Sequence, residues 1–156
     1  RVGDRIIAAL DAERHYALNT LVVVTPKVRQ ANLKFILTLL NSKLLNWYYM
    51  LFLKSTKKVF SEIQARQIKQ LPIRQINFEA TRDKELHDGL VGLADKVVRL
   101  NKQLAPFEDA ASEEKDEVSN EIRRTTDEID ERIYELYGIT EKEKQVIGTT
   151  LAMPRI

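Results

Sequence analysis

The sequence has no cysteine and only two histidines, His15 and His87. The first absence excludes disulfide bonds and thiolate metal sites, and the second leaves too few ligands for a typical histidine metal site. The five glycines are scattered and form neither a GxGxxG motif nor a P-loop. No nucleophile elbow is present either. These absences predict a chain that catalyses no reaction on its own and holds no cofactor.

No stretch of the sequence has the pattern of a signal peptide, because the apolar run of residues 6–10 is short and charged residues follow it. We therefore expect a cytoplasmic protein. A length of 156 residues suffices for one domain with a substantial core. Because the first residue is Arg1 rather than methionine, we expect either a piece of a longer protein or a processed or trimmed chain.

The most apolar stretch spans residues 33–53 and reads LKFILTLLNSKLLNWYYMLFL. Lysines and other polar residues interrupt it. Because a charge at bilayer depth costs several kcal/mol, the stretch does not predict a membrane span. Its spacing predicts two consecutive core helices, the first ending at Asn41 and the second capped by the hydroxyl of Ser42.

The second of these helices carries three neighbouring aromatic residues. We expect Trp47, Tyr48 and Tyr49 to pack in the core, with base stacking as the alternative. At helical spacing, one apolar face of this helix consists of Leu44, Leu45, Tyr48, Tyr49 and Phe52.

Positive charge is concentrated in the first two thirds of the chain. Residues 1–105 carry 18 Lys and Arg against 9 Asp and Glu, whereas residues 106–156 carry 7 against 14. A basic part favours a polyanionic partner, and an acidic part favours contact with water or with another protein. Charge alone leaves nucleic-acid binding and a solvated surface equally open.

A basic segment of residues 54–58, KSTKK, directly follows the aromatic stretch. Its ammonium and hydroxyl groups suit phosphate binding, with a solvated loop as the alternative. A capping box of Ser61 and Gln64 then predicts a short helix that ends before Pro72. Because Pro72 lacks an N–H donor, we expect residues 71–73 to form an edge strand.

A second β element is expected nearer the N-terminus. Residues 20–25 contain the run LVVV and end before Pro26, which predicts a buried strand. His15 lies before this run in an expected loop, where a surface histidine is favoured over a catalytic base. A catalytic base would need a carboxylate partner that the sequence does not locate.

Two long amphipathic helices follow. The first has apolar residues at alternating spacings of four and three between residues 86 and 104, and it ends at Pro106. The second has an apolar stripe over residues 118–136 and ends at Gly138, which readily adopts positive φ. The short linker predicts an antiparallel hairpin. Acidic pairs on the second helix, such as Asp130-Glu131, are expected to be solvated.

A final capping box, made by Thr140 and Glu143, predicts a short helix over residues 141–147. Residues 148–156 show no periodicity and are expected to form a tail. Together these patterns predict an α+β fold that is mostly helical. It has a small β part near the N-terminus and core helices, followed by a long antiparallel helical hairpin.

Four segments, in this order, resemble one family: LKFILTLLNSKLLNWYY (residues 33–49), KQLPI (69–73), the leucine-rich helix, and IDERIYELYGITEKEKQVI (129–147). Together they resemble the TaqI-like C-terminal specificity domain. That domain is the DNA target-recognition region of adenine-specific DNA methyltransferases and of fused restriction–modification enzymes. The resemblance extends over residues 5–147, with Ile139 where the family usually has leucine. The chain also resembles type I specificity subunits, which pair a recognition domain with a spacer helix.

The resemblance implies that residues 1–80 are the C-terminal part of a DNA target-recognition domain. It implies that residues 81–147 form a spacer, or dock against the methyltransferase domain of the same parent chain. S-adenosylmethionine is implied for the parent only, because neither its binding motif nor the Asn-Pro-Pro-Tyr motif occurs here. Methyl transfer, and any cleavage of DNA, would belong to other segments.

Double-stranded DNA is therefore the implied partner. We expect the lysines of residues 54–58 to meet phosphates, and Arg66 or Arg74 to reach a guanine edge. The alternative function is a protein-interaction or dimerisation module built on the hairpin, with the basic loop incidental and with oligomers formed through the hairpin. The candidate DNA-binding residues are Lys27, Arg29, Lys54, Lys57, Lys58, Arg66, Lys69 and Arg74.

Overall fold

The computed structural model describes residues 5–13, 15–19, 21–28, 31–54, 62–107 and 113–153. Among these residues no helix is long and apolar enough to cross a lipid bilayer. The helical elements are α1 (Leu33–Asn41), α2 (Lys43–Tyr48), a π-helical turn (Tyr49–Leu53), α3 (Ala65–Ile68), α4 (Thr81–Leu104), a 3₁₀ turn (Ala105–Phe107), α5 (Glu113–Tyr137) and α6 (Glu141–Ala152).

The mostly helical prediction is confirmed, but the β part of the predicted α+β fold is wrong for the described ranges, which contain no strand. The expected buried strand near the N-terminus has no regular structure over residues 21–26. Leu21 and Val23 are 60% and 64% exposed. A strand needs a neighbour that pairs with its backbone groups. In this segment the N–H of Leu21 instead donates to the carbonyl of Leu18, at 3.0 Å, in a local turn.

The break between α1 and α2 lies where the sequence predicted it. Helix α1 ends at Asn41, and the Ser42 hydroxyl accepts the N–H of Leu45 at 3.2 Å while donating to the carbonyl of Leu39 at 2.7 Å. Ser42 is buried, so both bonds are shielded from water. The resulting corner packs Leu39, Leu45 and Tyr49 into the centre of the core, where all three are fully buried.

Two asparagine side chains hold the N-terminal segment against this corner. The Ile6 N–H donates to Asn46 Oδ1 at 2.7 Å, and Ile6 is buried. The Asn41 amide accepts the N–H of Ala8 at 2.9 Å and donates to the carbonyl of Ala8 at 3.0 Å. The side-chain amides thus supply the backbone partners that a neighbouring strand would otherwise provide.

Helices α4 and α5 form the predicted long hairpin. Leu90 and Ile133 are fully buried, α1 packs on α4, and α2 packs on α5 and α6. Gly138 ends α5 with φ +69°, and the N–H of Ile139 donates to the carbonyl of Tyr134 at 2.9 Å. This is the left-handed cap expected for glycine. Pro106 lies in the 3₁₀ turn that follows α4, also as predicted.

The structure differs from the prediction in the segments that precede and follow the hairpin. Residues 71–73 are not an edge strand, although Leu71 is buried. The capping box of Thr140 and Glu143 is confirmed, with the Thr140 N–H donating to Glu143 Oε2 at 2.7 Å. Helix α6 then continues to Ala152, five residues beyond its predicted end, because Leu151 packs against the core.

Candidate nucleic-acid interface

The side chain of Gln67 joins the end of the π-helical turn to α3. Its Nε2 donates to the carbonyl of Leu53 at 2.6 Å, and its Oε1 accepts the N–H of Gln64 at 2.8 Å. Gln67 is buried, and both bonds are partly shielded from water. The bond to Leu53 brings the next residue, Lys54, beside α3. We call this region, made of Leu53, Lys54 and residues 62–69, the α3 junction.

Three of the eight candidate cations, Lys54, Arg66 and Lys69, belong to the α3 junction. Arg66 and Lys69 are exposed and lie three residues apart on the short helix and its C-terminal cap, so their side chains share one side. Lys54 is half-buried at the start of the junction. The predicted capping residue Ser61 lies outside the described residues, as do the candidate cations Arg29, Lys57 and Lys58.

Arg74 lies at a different place, at the base of the hairpin. Its guanidinium Nη2 is 3.2 Å from Asp83 Oδ1, at the start of α4. Its backbone N–H donates to the hydroxyl of Tyr137 at 3.1 Å, and that hydroxyl donates to the carbonyl of Pro72 at 2.8 Å. Burial raises the pKa of Tyr137 above its ordinary value, at which the hydroxyl is already a protonated donor at neutral pH. These contacts explain why residues 71–73 need no strand partner.

Lys27 is exposed on the segment that leads into α1. The carbonyl of Val28 accepts the N–H of Ala31 at 3.1 Å. Asn32 then caps α1, with its Oδ1 2.9 Å from the N–H of Lys34. Lys27 therefore belongs to the approach to α1 and not to the α3 junction.

The aromatic stretch divides into a buried and an exposed part. Core packing is confirmed for Tyr49, which is fully buried, whereas Trp47 and Tyr48 are half-buried against the core. Phe52 and Leu51 are 63% and 50% exposed. The π-helical turn causes this division, because an extra residue in the turn rotates the following side chains away from the face that α-helical spacing assigns to them.

Sequence reasoning therefore placed Phe52 on an apolar face that the structure leaves exposed, and it did not single out Leu51. The turn is closed by the N–H of Lys54, which donates to the carbonyl of Tyr49 at 2.8 Å, five residues earlier. The sequence signal available was the run of consecutive apolar residues 47–53, which is longer than one helix face needs.

Asp130 is buried, contrary to the prediction that the acidic pairs of α5 are solvated. Its Oδ1 accepts the backbone N–H of Lys43 at 2.8 Å, at the start of α2, and the Lys43 ammonium lies 3.2 Å from Oδ2. Burial raises the pKa of Asp130 and outweighs the opposing effect of Lys43. The pKa of Lys43 is lowered by burial, but Asp127 and Asp130 more than reverse this and raise it to about 12. The pair anchors α2 on α5.

The two histidines have surroundings that suit structural roles. His15 is exposed, as predicted, and its Nδ1 lies 3.0 Å from Asp11. His87 is buried between the rings of Phe35 and Phe78, at centroid distances of 4.9 and 5.1 Å. Within the described ranges, no group of three or more His, Asp or Glu side chains is arranged to hold a metal ion.

A groove of about 750 Å³ lies between α4, α5 and α6, and most of its lining side chains are charged. These charges pair with one another: Arg82 with Glu135, and Lys144 with Glu131 at 2.6 Å. A groove whose cations already hold carboxylates offers little attraction to an anion. The α3 junction is therefore the stronger candidate site.

The fold and these contacts define a helical module in which exposed cations and aromatic side chains follow one another, a surface suited to a polyanion. Residues 1–73 match the model of the family described as the TaqI-like C-terminal specificity domain. The resemblance predicted from the sequence is thus confirmed over these residues, which include α1, α2 and α3. The family is described as a specificity domain, and the match covers slightly less than half of the chain. No curated protein and no solved structure matches the chain.

Proposed function

We propose that this chain is the C-terminal part of a protein that recognises a DNA target sequence for a restriction–modification adenine methyltransferase. The observation that carries the proposal is the family match over residues 1–73. In the proposed arrangement residues 1–80 hold the duplex. Residues 81–147 act as a spacer or dock against the methyltransferase domain of the parent chain, and α6 extends that unit to Ala152.

This division of labour has a physical reason. A methyltransferase that acts on adenine must rotate the base out of the duplex to reach its amino group. A separate module must first hold the duplex in register through phosphate contacts and choose the site through base edges. S-adenosylmethionine, methyl transfer and any cleavage belong, in this proposal, to other parts of the parent protein, which would act in the cytoplasm.

The charge distribution along the sequence supports the same arrangement. Between residues 14 and 78 the sequence carries 11 Lys and Arg and a single acidic residue, Glu62. In contrast, the first turn of α5 carries Glu113, Glu114 and Asp116. A duplex attracted to the first region would be repelled by the second. The hairpin is therefore better suited to a protein neighbour than to DNA.

Within the basic region we assign phosphate contacts to Lys54, Arg66 and Lys69, together with Lys57 and Lys58 of the same segment. The bond from Gln67 to Leu53 supports this assignment, because it holds the start of the lysine-rich segment beside α3. Arg74 is assigned a different role, since its guanidinium pairs with Asp83. It ties the basic region to the hairpin and is not assigned a guanine edge.

The test compares two double variants of the chain in binding a fluorescent duplex over a range of salt concentrations. Arg66→Ala with Lys69→Ala removes two exposed cations of the α3 junction. Arg99→Ala with Lys102→Ala removes two exposed cations of the same spacing from α4. The first pair should weaken binding to every sequence and reduce the slope of log K against log salt by about 2, since each phosphate contact contributes about 0.9.

The α4 pair should leave both the affinity and the slope near those of the unaltered chain. Binding that is independent of salt would refute the proposal and favour the alternative, a protein-interaction or dimerisation module built on the hairpin. Equal losses in both double variants would refute the assignment of the α3 junction. A third variant, with Lys54, Lys57 and Lys58 all changed to Ala, tests the lysine-rich segment in the same assay.

A further inference from the structure

The π-helical turn presents two large apolar side chains to solvent beside the basic residues. Leu51 is 50% exposed and Phe52 is 63% exposed, although Tyr49 and Met50 in the same turn are buried. The two side chains are neighbours and form one exposed apolar patch, a feature that is typical of surfaces that contact another molecule.

The ring of Phe52 packs against two other aromatic rings. Its ring lies 5.0 Å from that of Tyr48 and packs edge-on at 6.0 Å against that of Trp47. The backbone beneath it is held by the bond from the Lys54 N–H to the carbonyl of Tyr49 at 2.8 Å. The Phe52 side chain is thus braced in an outward position, so little conformational entropy is lost when it enters a partner.

The charge around this ring indicates which partner it meets. Lys54 follows two residues after Phe52, and the bond from Gln67 to Leu53 places Arg66 beside the same turn. A protein surface that covered Phe52 would have to accommodate these cations, whereas a nucleic acid offers phosphates for the cations and stacked bases for the ring. The combination of an exposed aromatic ring and flanking cations therefore favours duplex DNA.

We propose that Phe52, flanked by Leu51, is an apolar wedge that enters between two base pairs of the bound duplex. This inference rests on the proposed function. Apolar side chains inserted at a base step partly unstack it and kink the DNA, at a cost of a few kcal/mol per step. Such a wedge loosens the duplex for an enzyme that must rotate one base out of the stack.

The experiment measures binding of the chain to two duplexes of one sequence, one fully paired and one with a single mismatched pair. A mismatched step is already partly unstacked, so a wedge should bind it at least about fivefold more tightly. Phe52→Ala should abolish this preference while leaving the slope of log K against log salt unchanged. A 2-aminopurine at the mismatch should brighten with the unaltered chain and not with the variant.

Phe78→Ala is the matched control. Phe78 is also an exposed phenylalanine, at 47%, but its ring packs on His87 and its neighbour is Glu79. This variant should keep the mismatch preference. Phe52→Tyr, which retains a ring of similar size, should keep it as well, and a circular-dichroism melt verifies that all three variants fold.

The outcomes separate the wedge from the proposed function. Salt-dependent binding with the same mismatch preference in Phe52→Ala would overturn the wedge and leave the proposed function intact. An equal loss of affinity for both duplexes in that variant would also overturn it, because a general contact does not distinguish the two. Absence of salt-dependent binding by the unaltered chain would overturn the proposed function itself, and the wedge with it.

Discussion

Asn46 is the side chain on which the docking of the N-terminal segment most depends. It is 5% exposed, and its amide makes three hydrogen bonds. The Oδ1 accepts the N–H of Ile6 at 2.7 Å, and the Nδ2 donates to the carbonyls of Leu40 at 3.1 Å and Ser42 at 3.0 Å. Asn46→Ala removes all three bonds at once.

The expected loss follows from what remains after the change. The Ile6 N–H would stay buried without an acceptor, which costs about 1–3 kcal/mol. The carbonyl of Leu40 would also lose a partner, while that of Ser42 keeps the backbone N–H of residue 46 at 3.1 Å. We therefore expect Asn46→Ala to lower the free energy of unfolding by about 2–4 kcal/mol.

Urea unfolding followed by circular dichroism measures this loss against two other asparagines. Asn41→Ala also breaks two bonds to the N-terminal segment, but Asn41 is exposed and water replaces the bonds, so about 1 kcal/mol is expected. Asn101→Ala removes one exposed bond to the preceding turn of α4 and should change stability by less than about 0.5 kcal/mol. A loss for Asn46→Ala no larger than that for Asn101→Ala would refute the reasoning.

Two further predictions concern the contacts of α5. Tyr137→Phe removes the hydroxyl that accepts the N–H of Arg74 at 3.1 Å and should lower the free energy of unfolding by about 1 kcal/mol; an unchanged urea midpoint would contradict this. Asp130→Asn concerns pH. Because burial raises the pKa of Asp130 in the folded state, its stabilising effect is fully present below the unfolded pKa and is lost as pH rises through the folded value. As the pH rises above the ordinary pKa of an aspartate, the stability of the variant relative to the unaltered chain should therefore increase, and a difference that shrinks with rising pH would contradict the direction.

The parts of the fold that the sequence predicted correctly are those set by neighbouring residues. The Ser42 cap, the Gly138 cap and the Thr140 capping box each depend on groups within about five residues. The hairpin follows from an apolar spacing that repeats along two long segments. Such features arise from helix geometry, which is the same wherever the segment lies.

The wrong predictions concern features that depend on residues far apart in the sequence. Asp130 is buried against Lys43, which lies 87 residues away in the sequence. A local sequence pattern does not predict a contact between residues so far apart. The run of residues 21–26 has a strand-like composition, but the described residues offer no neighbouring strand. Helix α6 continues past residue 147 because Leu151 meets the core. Each outcome depends on what the segment packs against.

The candidate site also has features that the sequence predicted and features that depend on contacts between distant residues. The basic region was predicted from composition. The bond that holds Leu53, next to Lys54, beside α3 depends on Gln67, which composition does not distinguish from the other glutamines of that segment. Arg74 has the same charge as Arg66, yet its guanidinium pairs with Asp83. Exposure of Phe52 follows from the π-helical turn, which helical spacing does not anticipate.

The sequence by itself determined the helices with periodic apolar spacing, their caps, the uneven charge and the resemblance to a specificity domain. These properties depend on residues that are close together in the chain. Only the tertiary structure decided which charges are paired, which aromatic ring faces solvent and how the N-terminal segment is held. Those outcomes depend on buried hydrogen bonds between distant residues, whose strength comes from the exclusion of water that packing alone creates.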